Sequence, residues 1–393
     1  MSAYILHIET GVPGFSYSLD FTREKMKSWA VSKRDARLIH YVHKQSGIRN
    51  RYSACGDFDS PDAAELFTTG ADGQLSNPGT QERNDVFARE ARKLAVEVAG
   101  RALAACPEIR KEEITHVITA TCTGFSNPGI DFYLVTDLGL NPSTQRYQLG
   151  FMGCYAAFPA LRMAQQFCQA DSRAVVLVLC LEFCTLHVQV DGRTESILAN
   201  ALFADGAACA IVHGRDALSA RSAYRLNSFT SGLATGGEKD MAWSVGNHGF
   251  DIVLSSYVPD IIAANIANIV DPVLANVSLD RDDIDAWAVH PGGRAILDKV
   301  EQGLSLPEGS LAVSRSVLER FGNMSSPTIL FVLRDLLIGE SDEEEKLVCA
   351  LAFGPGLTIE MGLLHALPRF DRRQPLTIRD CGCVDPGKIE HHK

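Results

Sequence analysis

The sequence has few of the features that mark exported or membrane-spanning chains. No run of about 18 uninterrupted apolar residues occurs in its 393 residues, so we expect no membrane span. Residues 1–14 show no basic segment ahead of a long apolar run, so no signal peptide is expected. The eleven cysteines are odd in number and lie mostly in apolar stretches, which is typical of reduced thiols rather than of a disulfide framework. Together these absences predict a cytoplasmic protein.

Positive charge is also scarce. The chain has 37 Lys and Arg against 48 Asp and Glu, a formal net charge of −11. We expect no nucleic-acid partner, because backbone phosphates require clustered basic residues. One stretch, HKQSGIRNRY, departs from this composition because it holds Lys44, Arg49 and Arg51. This cluster is either a solvated face or a site for an anionic ligand, such as the phosphates of a coenzyme.

Sequence motifs for metals and nucleotides are missing as well. The chain has no Walker loop, no GxGxxG unit and no zinc-ligand spacing. Cys381 and Cys383 form a C-x-C near the C-terminus, but no second pair of ligands accompanies them. We therefore expect no metal site.

The chain does contain alternating segments of two kinds. Residues 115–124 and 174–182 are apolar and rich in β-branched side chains, as the buried strands of a sheet are. Residues 84–106 repeat apolar side chains at helical spacing and should pack one face on that sheet. With 46% hydrophobic residues, the chain is predicted to be an α/β protein with a well-filled core.

The stretch from residue 147 to residue 166, YQLGFMGCYAAFPALRMAQQ, places a cysteine between a strand and a helix. At a helix N-terminus Cys154 would face unpaired N–H groups and the positive end of the helix dipole, which favour the thiolate. Gly153 is expected to leave room for a substrate carbonyl. Cys154 is therefore a candidate nucleophile, and the alternative is a small buried hydrophobe.

The second half of the chain repeats the order of the first. Residues 284–293 predict a strand that ends at His290 before a glycine turn, and residues 316–337 predict a turn followed by a helix. Residues 346–364 predict two strands around a Gly-Pro-Gly turn. We expect a duplicated architecture with halves at residues 1–215 and 216–393.

The duplication predicts which residues meet. Gly322 and Asn323 open the second predicted helix, and Asn323 follows Cys154 by 169 residues. His290 ends a strand that corresponds to the strand ending near Thr121. Two halves related by a pseudo-twofold would bring Cys154, His290 and Asn323 to one crevice at the strand ends.

At this point the chain resembles the type III polyketide synthases, the chalcone and stilbene synthase-like enzymes of the thiolase superfamily. The resemblance rests on motifs that keep the family's order over most of the chain: GFMGCYAA at 150–157, ALFADGAA at 201–208, WAVHPGGRAIL at 287–297, RFGNMSSPT at 320–328 and AFGPGLTIE at 352–360. It implies a thiolase-like, duplicated, five-layered αβαβα fold and a homodimer. It also implies malonyl-CoA and acyl-CoA as substrates, with no metal or redox cofactor.

The resemblance also implies roles for the three central residues. Cys154 would accept the acyl group, with a thiol pKa lowered by the histidine and the helix end. His290 would pair with it as imidazolium, and Asn323 would help to hold the thioester oxygen. The expected coenzyme A tunnel is lined by glycines and basic residues: Gly292, Gly293, Lys44, Arg49 and Arg51.

Further positions resemble the gate and the cavity of the family. Phe203 matches the first gatekeeper phenylalanine, and the smaller Ile252 stands at the second. Four residues that we expect to line the cavity differ from the plant pattern: Cys184, His187, Ala199 and Trp243. Ser325 is also expected to bind the substrate. Trp243 either closes a pocket or lines one. Cys184 either lines the cavity or steers the intermediate.

These departures resemble bacterial enzymes that make alkylpyrones and alkylresorcinols, so we expect a medium- or long-chain fatty acyl-CoA starter, iterative malonyl-CoA extension and cyclisation. Three alternatives stay open. The first is a malonyl-primed tetrahydroxynaphthalene-type synthase, and the second is a β-ketoacyl-ACP synthase III-like enzyme with a single condensation. The third is a non-catalytic thiolase-like partner that binds acyl groups.

Overall fold

The computed structural model describes residues 2–59, 64–69, 75–234, 237–337 and 344–368. The strands in these residues are β1 (Ala3–Gly11), β2 (Phe15–Ser18), β3 (Asn50–Ser53), β4 (His116–Thr121), β5 (Gln145–Gly150), β6 (Val175–Phe183), β7 (Asp205–His213), β8 (Tyr224–Leu233), β9 (Met241–Gly246), β10 (Gly249–Leu254), β11 (Ala286–Val289), β12 (Lys346–Gly354) and β13 (Thr358–Ala366). The helices are α1 (Leu19–Ser28), α2 (Lys33–Gln45), α3 (Thr80–Ala104), α4 (Ile130–Leu138), α5 (Ala157–Ala170), α6 (Thr194–Leu202), α7 (Val258–Ala275), α8 (Arg294–Leu304), α9 (Ala312–Phe321) and α10 (Thr328–Leu336).

Nine of these strands form one mixed sheet, and four strands of each half have the same topology. The first half has the order β5-β4-β6-β7-β1, in which only β7 runs antiparallel to its neighbours. The second half has the order β11-β12-β13-β8, in which only β13 does so. The halves join where Ala3–Ile5 of β1 pairs antiparallel with residues 224–226 of β8. The strands β1, β4, β6 and β7 therefore recur as β8, β11, β12 and β13.

Side-chain alternation along the strands divides the core into three. In β6, Leu177 and Leu179 pack in a cluster with α3, whereas Val176 and Val178 pack in a cluster with α5 and α10. In β12 the odd-numbered side chains pack with α7 and α8, and the even-numbered ones join the cluster around α5 and α10. The period of two puts successive side chains on opposite faces. The layers are helix, sheet, paired central helices, sheet and helix, so the predicted five-layered αβαβα fold is confirmed.

Most predicted elements lie where we expected them, and one does not. The helix predicted at 84–106 is α3, the strands predicted at 115–124 and 174–182 are β4 and β6, and the predicted pair at 346–364 is β12 and β13. The turn expected at residue 316 is wrong, because α9 already spans that residue and α10 begins only at Thr328. The division at residues 215 and 216 stays a prediction.

One helix among the described residues, α7, is long and apolar enough to cross a membrane by length and composition. Its Ile262, Ile266 and Val270 are fully buried in the core beside α8. A core helix passes the same test, so α7 is weak evidence for a membrane span.

Candidate active site

The candidate nucleophile lies in a tight turn between β5 and α5. Residues Gly153–Tyr155 form one turn of 3-10 helix, and α5 begins at Ala157, so Cys154 precedes the helix rather than opening it. Gly153 has φ +77°, and a Cβ on it would lie 2.5 Å from Cδ of Pro355. Gly153 is therefore required by contact with the turn after β12, not by room for a substrate carbonyl as we expected.

His290 and Asn323 reach the same place from the second half of the chain. His290 directly follows β11, and Asn323 lies in the turn between α9 and α10. The Asn323 side-chain amide donates to the carbonyl of Gly292 (3.2 Å), and its oxygen accepts from the backbone N–H of Ser325 (2.8 Å). Neither ring nitrogen of the buried His290 has a hydrogen-bond partner among the described residues. No described residue therefore competes with the thiol or with a substrate for these nitrogens.

Three adjoining cavities lie near Cys154, which is in the wall of two of them. The first, which we call the tunnel, has a volume of about 270 Å³ and contains Cys154, His290, Asn323, Gly292 and Gly293 in its wall. The second, the chamber, lies on the other side of the thiol and is lined by Cys122, Cys154, Cys184, Trp243, Ile252 and Ser325, among others. The third, the inner pocket, extends from the chamber toward α1 and includes Cys184, His187, Ala199, Trp243, Ile252, Tyr17 and Met26. The structure thus brings the predicted triad together and places the predicted cavity residues beyond it.

Phe203 lines all three cavities, as a gate residue should. It directly follows α6, and the backbone on both sides of it bonds to Asn323. The Asn323 N–H donates to the carbonyl of Leu202 (3.0 Å), and the Ala204 N–H donates to the carbonyl of Asn323 (2.8 Å). Phe203, the predicted gate residue, and Asn323, the predicted oxyanion donor, therefore form one short parallel bridge.

Arg51 does not line the tunnel, and we correct its assignment to the coenzyme A site. Its side chain is buried, and Nη1 donates to the carbonyls of Asn200 and Phe203 at the C-terminal end of α6, the latter at 3.1 Å. A Cβ on Gly322, whose φ is +75°, would lie 3.1 Å from Cγ of Arg51. Arg51 therefore joins β3 to the gate and to the turn that carries Asn323. The basic cluster around Arg51 in the sequence did not indicate these contacts.

Burial controls the protonation of Cys154 and His290. It raises the pKa of the Cys154 thiol to about 11, although hydrogen bonds with Ser325 and Asn323 lower it. It also lowers the pKa of His290 to about 3. The lowered thiol pKa that we expected is therefore not present in the resting site, because desolvation outweighs the donors. A thiol and a neutral imidazole lie in one apolar space, where a proton passed between them leaves the net charge of the pair unchanged.

Sequence reasoning missed a buried carboxylate beside the candidate nucleophile. Glu182 accepts hydrogen bonds from the Cys122 N–H (2.9 Å), from Thr123 Oγ1 (2.8 Å) and from Ser326 Oγ (2.6 Å). Burial raises its pKa, and its negative charge also raises the pKa of Cys154. The signal was a single acid at the end of the apolar run AVVLVLCLE. Cys122, also missed, directly follows β4, where strand ends carry ligand sites.

Two of the predicted cavity residues, Trp243 and His187, are held by defined contacts. The Trp243 indole N–H donates to the carbonyl of Cys122 (2.9 Å), so Trp243 lines the passage with a fixed ring rather than closing it. His187 contacts the carbonyl of Thr123 through Nε2 (2.8 Å) and the N–H of Phe250 through Nδ1 (3.1 Å), which the tautomer protonated on Nε2 satisfies. Burial raises the pKa of the Cys184 thiol well above its ordinary value.

The remaining predicted basic residues lie outside the tunnel wall. Lys44 and Arg49 are exposed, and Arg49 pairs with Glu319. The charged residue in the wall is Arg294, which directly follows Gly293 and was not predicted. The described part of the chain contains no group of three His, Cys, Asp or Glu placed to hold a metal. Cys381 and Cys383 lie outside the described residues.

Comparison with known proteins agrees with this geometry. The family model for the N-terminal domain of chalcone and stilbene synthases matches residues 26–216, and that for the C-terminal domain matches residues 226–368. The α-pyrone synthesis polyketide synthase-like Pks18 of Mycobacterium tuberculosis is 35% identical over 372 residues, which are 93% of this chain and 92% of that protein.

Solved structures of similar proteins share the fold. The polyketide synthase PKS-I from the brown alga Ectocarpus siliculosus has a TM-score of 0.86 at 30% identity, covering 93% of this chain and 98% of the algal chain. The 1,3,6,8-tetrahydroxynaphthalene synthase of Streptomyces coelicolor A3(2) has a TM-score of 0.82 at 28% identity, covering 93% of this chain and all of that chain. The chain therefore belongs to the chalcone and stilbene synthase family, and it is a type III polyketide synthase, an acyltransferase with a thiolase-like fold.

Proposed function

We propose that the chain loads a medium- or long-chain fatty acyl group from coenzyme A onto Cys154, extends it with malonyl-CoA and cyclises the product to an alkylpyrone or alkylresorcinol. The observation that carries this proposal is the convergence of Cys154, His290 and Asn323 on the tunnel. Each residue type matches one requirement of the chemistry: a sulfur nucleophile, a proton acceptor and an amide donor.

Loading begins when the Cys154 proton moves to His290 and the thiolate attacks the thioester carbonyl of the starter. A new C–S bond forms to Cys154, the C–S bond to coenzyme A breaks, and the departing thiolate takes the proton back from His290. The imidazole has no other partner among the described residues to compete for that proton.

Extension requires an enolate. Malonyl-CoA loses carbon dioxide, and the electron pair of the broken C–C bond becomes the enolate, whose oxygen His290 and the Asn323 amide can stabilise. The enolate carbon then attacks the Cys154 thioester, and Cys154 is released as thiolate. The orientation of the amide is fixed by its bonds to Gly292 and Ser325.

The shape of the space beyond the thiol favours a linear starter. The chamber and the inner pocket have volumes of only about 30 and 50 Å³, and they share Phe203, Cys184, Trp243 and Ile252 as walls. Such a narrow passage admits an alkyl chain more readily than an aromatic ring, because the Trp243 ring is held in place. We therefore propose that the acyl tail extends through the chamber into the inner pocket.

The test is product formation from radiolabelled malonyl-CoA with octanoyl-, lauroyl-, palmitoyl-, benzoyl- and coumaroyl-CoA. Pyrone or resorcinol products from the aliphatic starters are expected, and no product from any starter contradicts the proposal. An Ala199→Phe variant should shorten the accepted chain, because Ala199 lines the inner pocket. The matched control is Leu198→Phe, since Leu198 lines the tunnel instead.

A malonyl-primed, tetrahydroxynaphthalene-type reaction is the second candidate. It is favoured by the thiols of Cys122 and Cys184 in the chamber and by the similarity to the Streptomyces enzyme. Incubation with malonyl-CoA alone distinguishes the two, because only this candidate gives an aromatic product without another starter. A single condensation would instead indicate a β-ketoacyl-ACP synthase III-like enzyme.

We further propose a cytoplasmic homodimer formed through β5. This strand pairs only with β4 in the described sheet, so one of its edges has open backbone groups. Light scattering on the purified chain tests this, and a monomer at micromolar concentration contradicts it.

A further inference from the structure

The charge of the chain is unevenly distributed. Residues 19–51 contain nine Lys and Arg but only three Asp and Glu, whereas the whole chain has a net charge of −11. The segment includes α1, α2 and β3. Such a concentration of one sign in a chain of the opposite sign favours recognition of an acidic partner.

The cations of α2 form an exposed stripe, which we call the basic face: Lys33, Arg34, Arg37 and Lys44. Lys33 and Arg34 precede Arg37 by four and three residues, and Lys44 follows it by seven, so the four side chains lie on one side of the helix. None of the four forms an ion pair with any described residue. The single acid of the helix, Asp35, is buried and bonded to Ser32 on the opposite side. The basic face is therefore not neutralised within its own helix.

The basic face adjoins the outer end of the tunnel. Tyr41 and Gln45 of the same helix line the tunnel, together with Arg294 at the start of α8. At 1.5 Å per residue, Arg34 lies about 10 Å along the helix axis from Tyr41. A partner seated on the basic face is therefore next to the entrance that leads to Cys154.

The tunnel wall itself has little positive charge. Arg294 is the one charged residue in the wall among the described residues, and its side chain lies 3.7 Å from Asp298. A coenzyme A donor brings a diphosphate and a further phosphate on its ribose to this entrance. A pantetheine arm attached to a protein brings a single phosphodiester, which one arginine can match. The cations of α2 are then available to the protein that carries the arm.

We propose that the basic face docks an acyl carrier protein, a small acidic protein whose pantetheine arm delivers the starter through the tunnel. The inference rests on the proposed function and names a partner for the same site. The Cys154 thiolate attacks the arm-bound thioester, the C–S bond to pantetheine breaks, and the pantetheine thiolate takes the proton held by His290. Acyl-CoA remains a donor, because it reaches the same tunnel without the protein contact.

The test compares octanoyl-acyl carrier protein with octanoyl-CoA as donors to the full chain, with acylation of Cys154 followed by mass spectrometry. The double variant Arg34→Glu/Arg37→Glu should lose about tenfold or more in loading rate from the carrier protein and change by less than about twofold with octanoyl-CoA. Added salt should slow carrier-dependent loading in the wild type more than in the variant.

The matched control is Arg110→Glu/Arg173→Glu. These exposed arginines precede β4 and β6, at the N-terminal ends of the strands and thus away from Cys154. Their substitution changes the net charge by the same amount. Their own ion pairs are exposed, so their loss costs little stability. Equal loss in both double variants overturns the proposal.

The remaining outcomes are also decisive. Loading from octanoyl-CoA without loading from the carrier protein refutes the docking proposal and leaves the proposed function intact. Loading from neither donor refutes the proposed function itself. Binding of the basic face to vesicles of anionic phospholipid, with no carrier-dependent loading, would assign the face to a membrane surface and also overturn the proposal.

Discussion

Cys154 and His290 are both buried, and neither ionises easily without the other. With the thiol pKa near 11 and the imidazole pKa near 3, a thiolate at neutral pH requires that the imidazole accept its proton. Moving one proton between them creates an ion pair without adding net charge to the apolar space. We therefore expect the reactivity of the cysteine to depend on His290 more than on the helix that follows it.

This dependence predicts the behaviour of His290→Gln. In the variant the thiolate forms only by ionisation of the thiol, so its fraction rises with pH toward a pKa of about 11. Alkylation of Cys154 by iodoacetamide should then accelerate about tenfold per pH unit between pH 7 and 10. The wild type should show a shallower dependence. Mass spectrometry of the alkylated peptide gives the rates, and equal slopes would count against a thiol–imidazole pair.

Gly153 gives a second prediction for a single residue. Gly153→Ala should reduce the free energy of unfolding by about 3 kcal/mol or more, because it adds a clash with Pro355 to the strain of a positive φ. Gly309→Ala is the matched control, since Gly309 has φ +89° and nothing within 4 Å of its Cβ position. The control should lose only about 1–2 kcal/mol. Urea denaturation measures both, and equal losses would show that Pro355 moves aside.

Among the elements, β3 connects parts of the site that the sequence keeps far apart. Its alternation turns Arg51 and Ser53 inward, whereas Asn50 and Tyr52 are only partly buried. Arg51 then reaches the end of α6 and the turn of Gly322. The local sequence shows a basic cluster, but only the pairing of β3 with β2 decides which of its members points into the protein.

We expect Arg51→Lys to disturb the gate and the enolate site together. Lysine keeps the charge but loses the planar fork that contacts two carbonyls. The preferred starter length should shift, and the rate of malonyl-CoA decarboxylation should fall about threefold to tenfold, because Asn323 bonds to Leu202 and Ala204 on either side of Phe203.

Arg281→Lys is the control for this change, because Arg281 donates in a similar way to the carbonyl of Leu304 at the far end of α8. Both variants should lose some thermal stability. If Arg51→Lys lowers the melting temperature yet leaves starter preference and decarboxylation unchanged, Arg51 is structural only.

The sequence predicted the site better than it predicted the walls around it. Cys154, His290 and Asn323 stand at strand ends or turns with glycine neighbours, a local signal, and the repeat of that signal in two halves places them together. The hairpin of β9 and β10 and the helix α7 were not predicted. Trp243 and Ile252 acquire their surroundings only through this hairpin, which packs against residues more than 100 positions away. Contacts between such distant parts of the chain leave no periodic pattern in the sequence of either part.

For the whole molecule, buried histidines set the response to acid. Burial lowers the pKa of four histidines to about 3 or 4: His43, His187, His213 and His290. In the unfolded chain they bind protons near pH 6.5, whereas in the folded chain they do not until far lower pH. The free energy of unfolding therefore falls as pH decreases from about 6.5 toward 4.

Three buried carboxyls act in the opposite direction. Burial raises the pKa of Asp205 to about 7, so below that pH the folded chain holds a proton that the unfolded carboxyl has released. Burial also raises the pKa values of Glu182 and Glu360. The four histidines outnumber these three carboxyls. Each proton that the unfolded chain binds and the folded chain does not changes the free energy of unfolding by about 1.4 kcal/mol per pH unit.

Thermal unfolding between pH 7 and 4.5 tests this balance. The melting temperature should fall as the pH is lowered. His213→Asn should reduce the number of protons taken up on unfolding by one, and with it the pH dependence of the free energy of unfolding. Asparagine can still accept the Arg215 N–H that bonds to His213 Nδ1. A melting temperature independent of pH would contradict the four neutral histidines.

The position of β1 also bears on how the chain assembles during synthesis. β1 precedes every other described strand in the chain, yet it lies in the middle of the nine-stranded sheet and pairs with β7 and β8, about 200 residues later. Pairings of such long sequence separation form slowly. Both edges of β1 are open until β7 has emerged, and the edge that pairs with β8 stays open until residue 226 has emerged. Its apolar side chains are exposed to aggregation during this time. In the nascent chain, β1 is therefore the last strand of the first half to acquire both of its neighbours.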